Sequence, residues 1–348
     1  FFFMIRRPPR YTLFSLHDAL PILENMVKFS TAKQLTPNNA HHFFGYYGIP
    51  PWSQNGRYFI CLESSFQDHM PELGETAKIM LLDLQEGTHR YIAETKAWNF
   101  QQGSMMHWLP SDPNRKIIYN DCDGKKPISR VLNIETGDFY TLPRAINAVG
   151  RTKDIGLCVS FARLRRNRKV TSYACSDDFS TEGIHPTNDG VHLMDLQTGE
   201  SKLIISLDQI WNANPQTANL TAEEIEGIGI TELWFNHLSF NFSDTRFFFL
   251  ARYTNWFRQL ITSMWSANAD GTEPYLLAEF GPHLSHFEWI SDSDIMVTVK
   301  FLKDTKMSHV KIKDRIGDRA AVAPMDLIRD GHPRSEERRV GKECRSRW

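Results

Sequence analysis

The 348-residue chain lacks any apolar run approaching the roughly 20 residues that a membrane-spanning helix requires, which argues against an integral membrane protein. It also lacks an excess of basic charge. Its 40 Lys and Arg against 41 Asp and Glu leave a formal charge of −1, so no overall positive field recruits nucleic acid. Cysteine is scarce: Cys61, Cys122, Cys158, Cys175 and Cys344, with no CxxC spacing, read as free thiols and not as a disulfide framework. The common catalytic signatures are missing too, with no GxSxG elbow, P-loop, strand-following GxGxxG or HExxH. What the chain has in quantity is rings. With 23 Phe, 9 Trp and 10 Tyr, it must bury a large core, and a disordered chain is excluded.

The two ends differ from the rest. The first 22 residues, FFFMIRRPPRYTLFSLHDALPI, place apolar residues before basic ones, the reverse of a secretory signal. RSEERRVGKECRSRW, at 334–348, is charged and almost free of apolar residues. Both resemble translated sequencing-adapter DNA of the kind found at the edges of metagenomic gene fragments. The expectation is that 1–22 and 334–348 are foreign, that 23–333 is the natural stretch, and that Met26 is a candidate start. The missing signal and the thiols together predict a cytoplasmic protein.

The middle of the chain repeats. PWSQNGRYFICLESS is followed by AKIMLLDLQEGTHRYIAET, and MMHWLPSDPNRKIIYND by SRVLNIETGDFYTL. NAVGRTKDIGLCVSF precedes GVHLMDLQTGESKLIISL, NHLSFNFSDTRFFFLAR precedes ITSMWSANADGTEPYLLAE, and SHFEWISDSDIMVTVKF precedes MSHVKIKDRIGDRAAVA. Each unit supplies four short strands rich in β-branched and aromatic residues, with hairpins such as LDLQEGT and LNIETGD in which Gly provides the positive φ. Four-stranded units in one fixed order predict an all-β protein, a β-propeller with five recognisable blades and the opening of a truncated next one. The intact protein is expected to have six or seven. Insertions interrupt it at about 163–190, which holds the densest basic run, and at 208–232, where Thr221 and Glu224 suit a helix capping box.

The first strand of each blade lines the propeller centre, so one repeat position recurs around it. Aligned on Trp52, Trp108, Phe240 and Trp289, the position three earlier holds Ile49, Met105, His237 and His286. Strict alternation along a strand puts His107 and Glu288, one before the anchor, on the same face. Imidazoles converging there suit a divalent metal completed by carboxylates. A strand-borne His is equally the ordinary residue of an inter-blade hydrogen bond, and that alternative stays open. His41, His42 and the rings Phe43, Phe44, Tyr46 and Tyr47 sit near the first blade's inner edge, where Tyr46 could stack on a sugar or simply pack. Gln102 could hydrogen-bond a polar ligand or close a turn. His89, His192 and His309 are expected on outer strands, facing solvent. Arg163, Arg165, Arg166, Arg168 and Lys169 read as an anion site or a solvated loop.

HHFFGYYGIPPWSQNGRY, AETKAWNFQQGSMMHWL, KIIYND, LMDLQTGESKLIISL, FNHLSFNFSDTRF, SHFEW and DGHP resemble a bacterial propeller family distantly similar to oligogalacturonate lyase and found near surface-polysaccharide genes. The resemblance covers about 40–333. In the lyase it implies Mn²⁺ held by three His and one Gln, with a further His as base. Carried over by motif, His286 and His332 take metal positions, Asp330 replaces a His, and Leu327 stands where the Gln would be. His237 takes the place of the base, and no Arg is matched to the family's catalytic one. The substrate-binding set expected from the residues themselves is His42, Tyr46, Gln102 and His107. The implied reaction is β-elimination from a uronate, in which a cation stabilises the enediolate-like charge while His237 removes the C5 proton. The competing expectation is a propeller without catalysis that binds an oligosaccharide or polysaccharide, or scaffolds partners in its metabolism.

Overall fold

A computed structural model describes residues 34–176, 183–281, 284–300, 308–317 and 319–321. The chain divides into a unit of residues 1–37 and one of 38–348, and the strands among the described residues belong to the second. That unit is a β-propeller whose described residues form five four-stranded sheets, each antiparallel and each built from consecutive strands. The first blade is β1 (His41–Phe43), β2 (Tyr58–Ser64), β3 (Ala77–Asp83) and β4 (Thr88–Thr95). The second is β5 (His107–Trp108), β6 (Lys116–Asp123), β7 (Lys126–Asn133) and β8 (Phe139–Leu142). The third is β9 (Ala148–Val149), β10 (Ile155–Cys158), β11 (Gly190–Asp195) and β12 (Ser201–Ser206). The fourth is β13 (Trp234–Phe240), β14 (Arg246–Thr254), β15 (Leu260–Asn268) and β16 (Tyr275–Gly281). The fifth is β17 (Leu284–Trp289), β18 (Asp294–Val299), β19 (Ser308–Lys313) and β20 (Arg319–Ala321).

The sequence repeat fixes the register. Trp52, Trp108, Phe240 and Trp289 pair with Phe59, Ile117, Phe247 and Ile295, the corresponding pairing in four of the five blades. The second strands are apolar on both faces because neighbouring blades cover both: Phe247, Phe248, Phe249, Leu250 and Ala251 are all buried. This packing also corrects the reading of two histidines. β11 and β19 are third strands, and His192 and His309 are half-buried on them. Burial holds His192 down to about 4, and His309 Nδ1 lies 2.8 Å from Thr298 Oγ1. His89 is exposed, as expected.

The insertions carry short helices. The first, α1 (Phe161–Asn167), is capped by Ser160, whose hydroxyl accepts from Arg163 N. The basic run is neither a solvated loop nor one cluster. Arg163 is buried against Asp189 at 2.9 Å, Arg166 pairs with Glu232 at 2.8 Å, and Arg168 stays exposed. The second insertion holds α2 (Leu207–Ala213) and α3 (Ala222–Ile228), and α3 has the expected capping box of Thr221 and Glu224. His185 is drawn onto this insertion, 3.0 Å from Asp208 and stacked on Trp211.

The cysteine expectation is overturned. Cys122 and Cys175 form a disulfide across 53 residues, tying the second blade to the segment that follows α1. Their Cα atoms are 6.3 Å apart, an ordinary span for such a bridge. Only folding brings them together, so no local spacing announces them. Cys61 and Cys158 are free and buried.

Candidate functional site

Three blades carry the same irregularity at the same place. Met105, His237 and His286 have φ of 51°, 53° and 46°, the left-handed region that non-glycine residues avoid. Each occupies a β-bulge of the first strand. Pairing steps from Asn236–Leu250 to Ser239–Phe248, and from Ser285–Thr298 to Phe287–Val297. In the second blade Ser104 O accepts from Asn120 N, while His107 already pairs with Ile118. An extra residue re-aims its own side chain and breaks the alternation of those beyond it. The inference that His107 and Glu288 share a face with the bulged histidines through simple alternation therefore fails.

The bulges displace backbone amides, and other parts of the propeller satisfy them. Leu238 N donates to Asn147 Oδ1 of the third blade at 3.0 Å. Phe287 N donates to Tyr47 Oη at 3.2 Å, and that hydroxyl donates to Phe287 O at 2.9 Å.

Tyr47 arrives there because the first blade has a long excursion where the second, fourth and fifth have one extra residue. β1 pairs Phe43 with Leu62 and pairing resumes at Trp52 with Phe59, so residues 44–51 leave the sheet. Gly45, at φ 107°, lets this segment press on the turn at 99–103. A Cβ there would lie 2.8 Å from Gln102 O. The excursion carries Tyr46 and Tyr47 to the histidines. Tyr46 stacks on His237 with centroids 5.3 Å apart, and Tyr47 meets His286 edge-on at 6.2 Å. Phe43, read with them from the sequence, instead packs against Trp98 and Phe100 in the core.

Gln102 completes this group. Its backbone N donates to Asn99 Oδ1 at 2.7 Å, and its side-chain Nε2 lies 3.3 Å from His237 Nδ1. Burial, followed by the charges of Arg252, Arg168 and His286, holds His237 well below its ordinary 6.5, so the imidazole is neutral at pH 7. Arg252, on β14, is 6% exposed and is lowered by burial to about 10, which leaves it charged. Its Nε donates to Thr262 Oγ1 at 3.1 Å, and no carboxylate among the described residues lies within ion-pair distance. Burial, then neighbouring Tyr47, raises Tyr46 well above its ordinary value.

Beside this group lies a second one. Arg151 pairs with Glu288 at 3.1 Å, and a Cβ at Gly48 would lie 3.5 Å from Glu288 Oε2. Burial, reinforced by the charge of Arg151, lowers His107 to about 3, and its Nε2 is buried without a hydrogen-bond partner.

Of the residues singled out from sequence, His237, His286, Tyr46 and Gln102 come together, and His107 lies with the Arg151–Glu288 pair. His42 bonds Glu63 across β1 and β2 at 3.0 Å. Asp330 and His332 lie outside the described residues, and among the described ones no group of three His, Cys, Asp or Glu side chains is placed to hold a metal. Sequence reasoning missed Arg252 and the part played by Arg168. The available signal was the charge of Arg252 within RFFFLARYT, after the apolar run that follows Arg246, since an Arg committed to a buried strand needs a reason.

No protein-family model matches the sequence, and comparison with curated proteins finds no match. Among solved structures, the fold is similar to oligogalacturonate lyase from Vibrio parahaemolyticus, with a TM-score of 0.52 and 14% identity over 83% of this chain and 67% of that one. An oligogalacturonate lyase in complex with manganese matches with a TM-score of 0.52 and 13% identity, over 83% and 68%. The β-propeller domain of the Trilobed protease from Pyrococcus furiosus matches at 0.44 and 12%, over 82% and 71%. No helix among the described residues is long and apolar enough to cross a membrane. At such identities the likeness to the two lyases establishes the β-propeller fold of this chain.

Proposed function

We propose that this propeller binds an acidic, uronate-containing oligosaccharide where its bulged first strands converge. One observation carries the reading: the charged, buried Arg252 has no carboxylate partner among the described residues, and its field acts on Tyr46 and His237. An uncompensated buried charge is costly, and a bound anion offsets that cost. Arg168, exposed just past α1, supplies a second positive charge to the same place. Tyr46 and Tyr47 offer ring faces for a sugar, and Gln102 an amide for its hydroxyls.

Binding is tested by calorimetry with trigalacturonate and with a neutral trisaccharide of equal length. The acidic sugar is expected to bind, and Arg252→Gln and Arg168→Gln are each expected to weaken it about tenfold, or ~1.4 kcal/mol. Equal affinity for the neutral sugar, or unchanged binding in both variants, refutes the reading.

A second reading adds β-elimination. The C5 proton would pass to His237, its bonding pair would form the C4=C5 double bond, and the C4–O bond would break with its pair on the departing sugar oxygen, which takes a proton from water. Arg252 and Arg168 would stabilise the charge developing on the carboxylate. A neutral imidazole beside two guanidiniums supports it. Absorbance of unsaturated uronate products tests it, and silence across acidic glycans with binding retained leaves a glycan-binding or scaffolding propeller. Manganese enters this reading through His286, Asp330 and His332. The described residues alone do not make such a shell, so no step is routed through a metal. The disulfide removes the thiol support for a cytoplasmic location, since such bridges persist mainly in oxidising compartments.

A further inference from the structure

His237 is held by three neighbours: Tyr46 stacked on it at 5.3 Å, Phe287 tilted against it at 5.3 Å, and Gln102 at its Nδ1. Only Gln102 touches a ring nitrogen among these. An amide nitrogen can donate and cannot accept, so Nδ1 must present its lone pair to Gln102 Nε2. A neutral imidazole carries a single N–H, which then resides on Nε2.

Gln102 is itself fixed. Its backbone is tied to Asn99 Oδ1, its carbonyl accepts from Met105 N, and Gly45 closes over that carbonyl. The Met105 bond anchors it to the bulge of the second blade, the counterpart of the bulge that presents His237 in the fourth.

We propose that Gln102 is the positioning residue for His237, setting the imidazole as its Nε2–H tautomer in the unliganded protein. The ring thus offers a proton at Nε2, suited to a sugar oxygen. Removing a C5 proton through Nε2 would require the Gln102 amide to turn over, so that Oε1 accepts from Nδ1–H. One amide rotation therefore separates a ring that donates from one that accepts. The inference rests on the proposed function only for what His237 meets; the tautomer is a property of the protein alone.

The test is histidine side-chain proton–nitrogen correlation spectroscopy on the full chain without ligand, at pH 7.5. The His237 signals are assigned by their loss in His237→Asn. Wild type is expected to show an unprotonated Nδ1 and a protonated Nε2. In Gln102→Glu the carboxylate can only accept, and the pattern is expected to invert. Gln102→Leu is expected to give averaged signals. A wild-type Nδ1–H overturns the proposal without any variant. So does an unchanged Nε2–H pattern in both variants with the remaining histidine signals in their wild-type positions. If the tautomer is as stated but trigalacturonate does not bind, the proposed function fails and this inference stands.

Discussion

Replacing His286 by Gly and, separately, by Ala should reverse the usual order of those two residues. At an ordinary strand position Gly is less stable than Ala by about 0.5–1 kcal/mol, because it loses more backbone freedom on folding. At φ 46° the Cβ of Ala meets the following carbonyl, at a strain of roughly 1–2 kcal/mol that Gly avoids. The difference leaves His286→Gly more stable than His286→Ala by about 0.5–1 kcal/mol. Both variants lose the imidazole and its contact with Ser285 Oγ, so those losses cancel in the comparison. Met105 and His237, at φ 51° and 53°, should show the same order, while Ser239, beyond the bulge, should show the ordinary one. Urea unfolding followed by tryptophan fluorescence measures it, with 9 Trp in the chain to report. Ala equal to or better than Gly at 286 would refute the claim that the bulge holds His against a backbone preference. Agreement would mean that these positions keep a side chain at the expense of stability, as sites of function do.

Two further outcomes follow from the buried groups. His107, lowered to about 3, gives stability fully present above its unfolded value near 6.5 and lost as pH falls toward 3, because the unfolded chain takes up the proton first. At pH 5 that loss is up to about 2 kcal/mol relative to pH 7.5. His107→Gln should flatten the dependence of the urea midpoint on pH, and an unchanged slope would show that the imidazole is not held neutral. Reducing the Cys122–Cys175 bridge, which spans 53 residues, should destabilise the fold by about 2–4 kcal/mol. The urea midpoint should fall with dithiothreitol in wild type and be insensitive to it in Cys175→Ser; equal sensitivity in both would argue against the bridge.

The fold was legible because the repeat appears at several levels at once. The ETG and QTG hairpins, the aromatic anchors and the apolar second strands all specify four strands in one order, and consistency across levels marks a well-specified fold. His237 and His286 were legible for the same reason, since a shared repeat position means a shared place around the centre. The bulges were not. Neither His nor Met signals positive φ as Gly does, so alternation was carried straight through Met105, His237 and His286 and misplaced the faces beyond them. Arg252 was not legible because it reaches the site from the second strand of its blade, outside the first-strand position that repeats. The Cys122–Cys175 bridge and the burial of His192 depend on contacts between distant segments, which local spacing does not encode.

The bond from Phe287 N to Tyr47 Oη makes one amide proton a reporter on the 44–51 excursion. Alternate amides here face β18, as Ile290 N does in donating to Asp294 O at 2.9 Å, and they exchange with solvent when that sheet edge opens. The Phe287 proton is guarded by a phenol from another blade, and it exchanges whenever Tyr47 swings away. Comparing its exchange rate with those of Glu288 and Ile290 therefore times the movement of a single side chain over the histidines. A ligand that seats on the tyrosines should slow that one clock and leave the others unchanged.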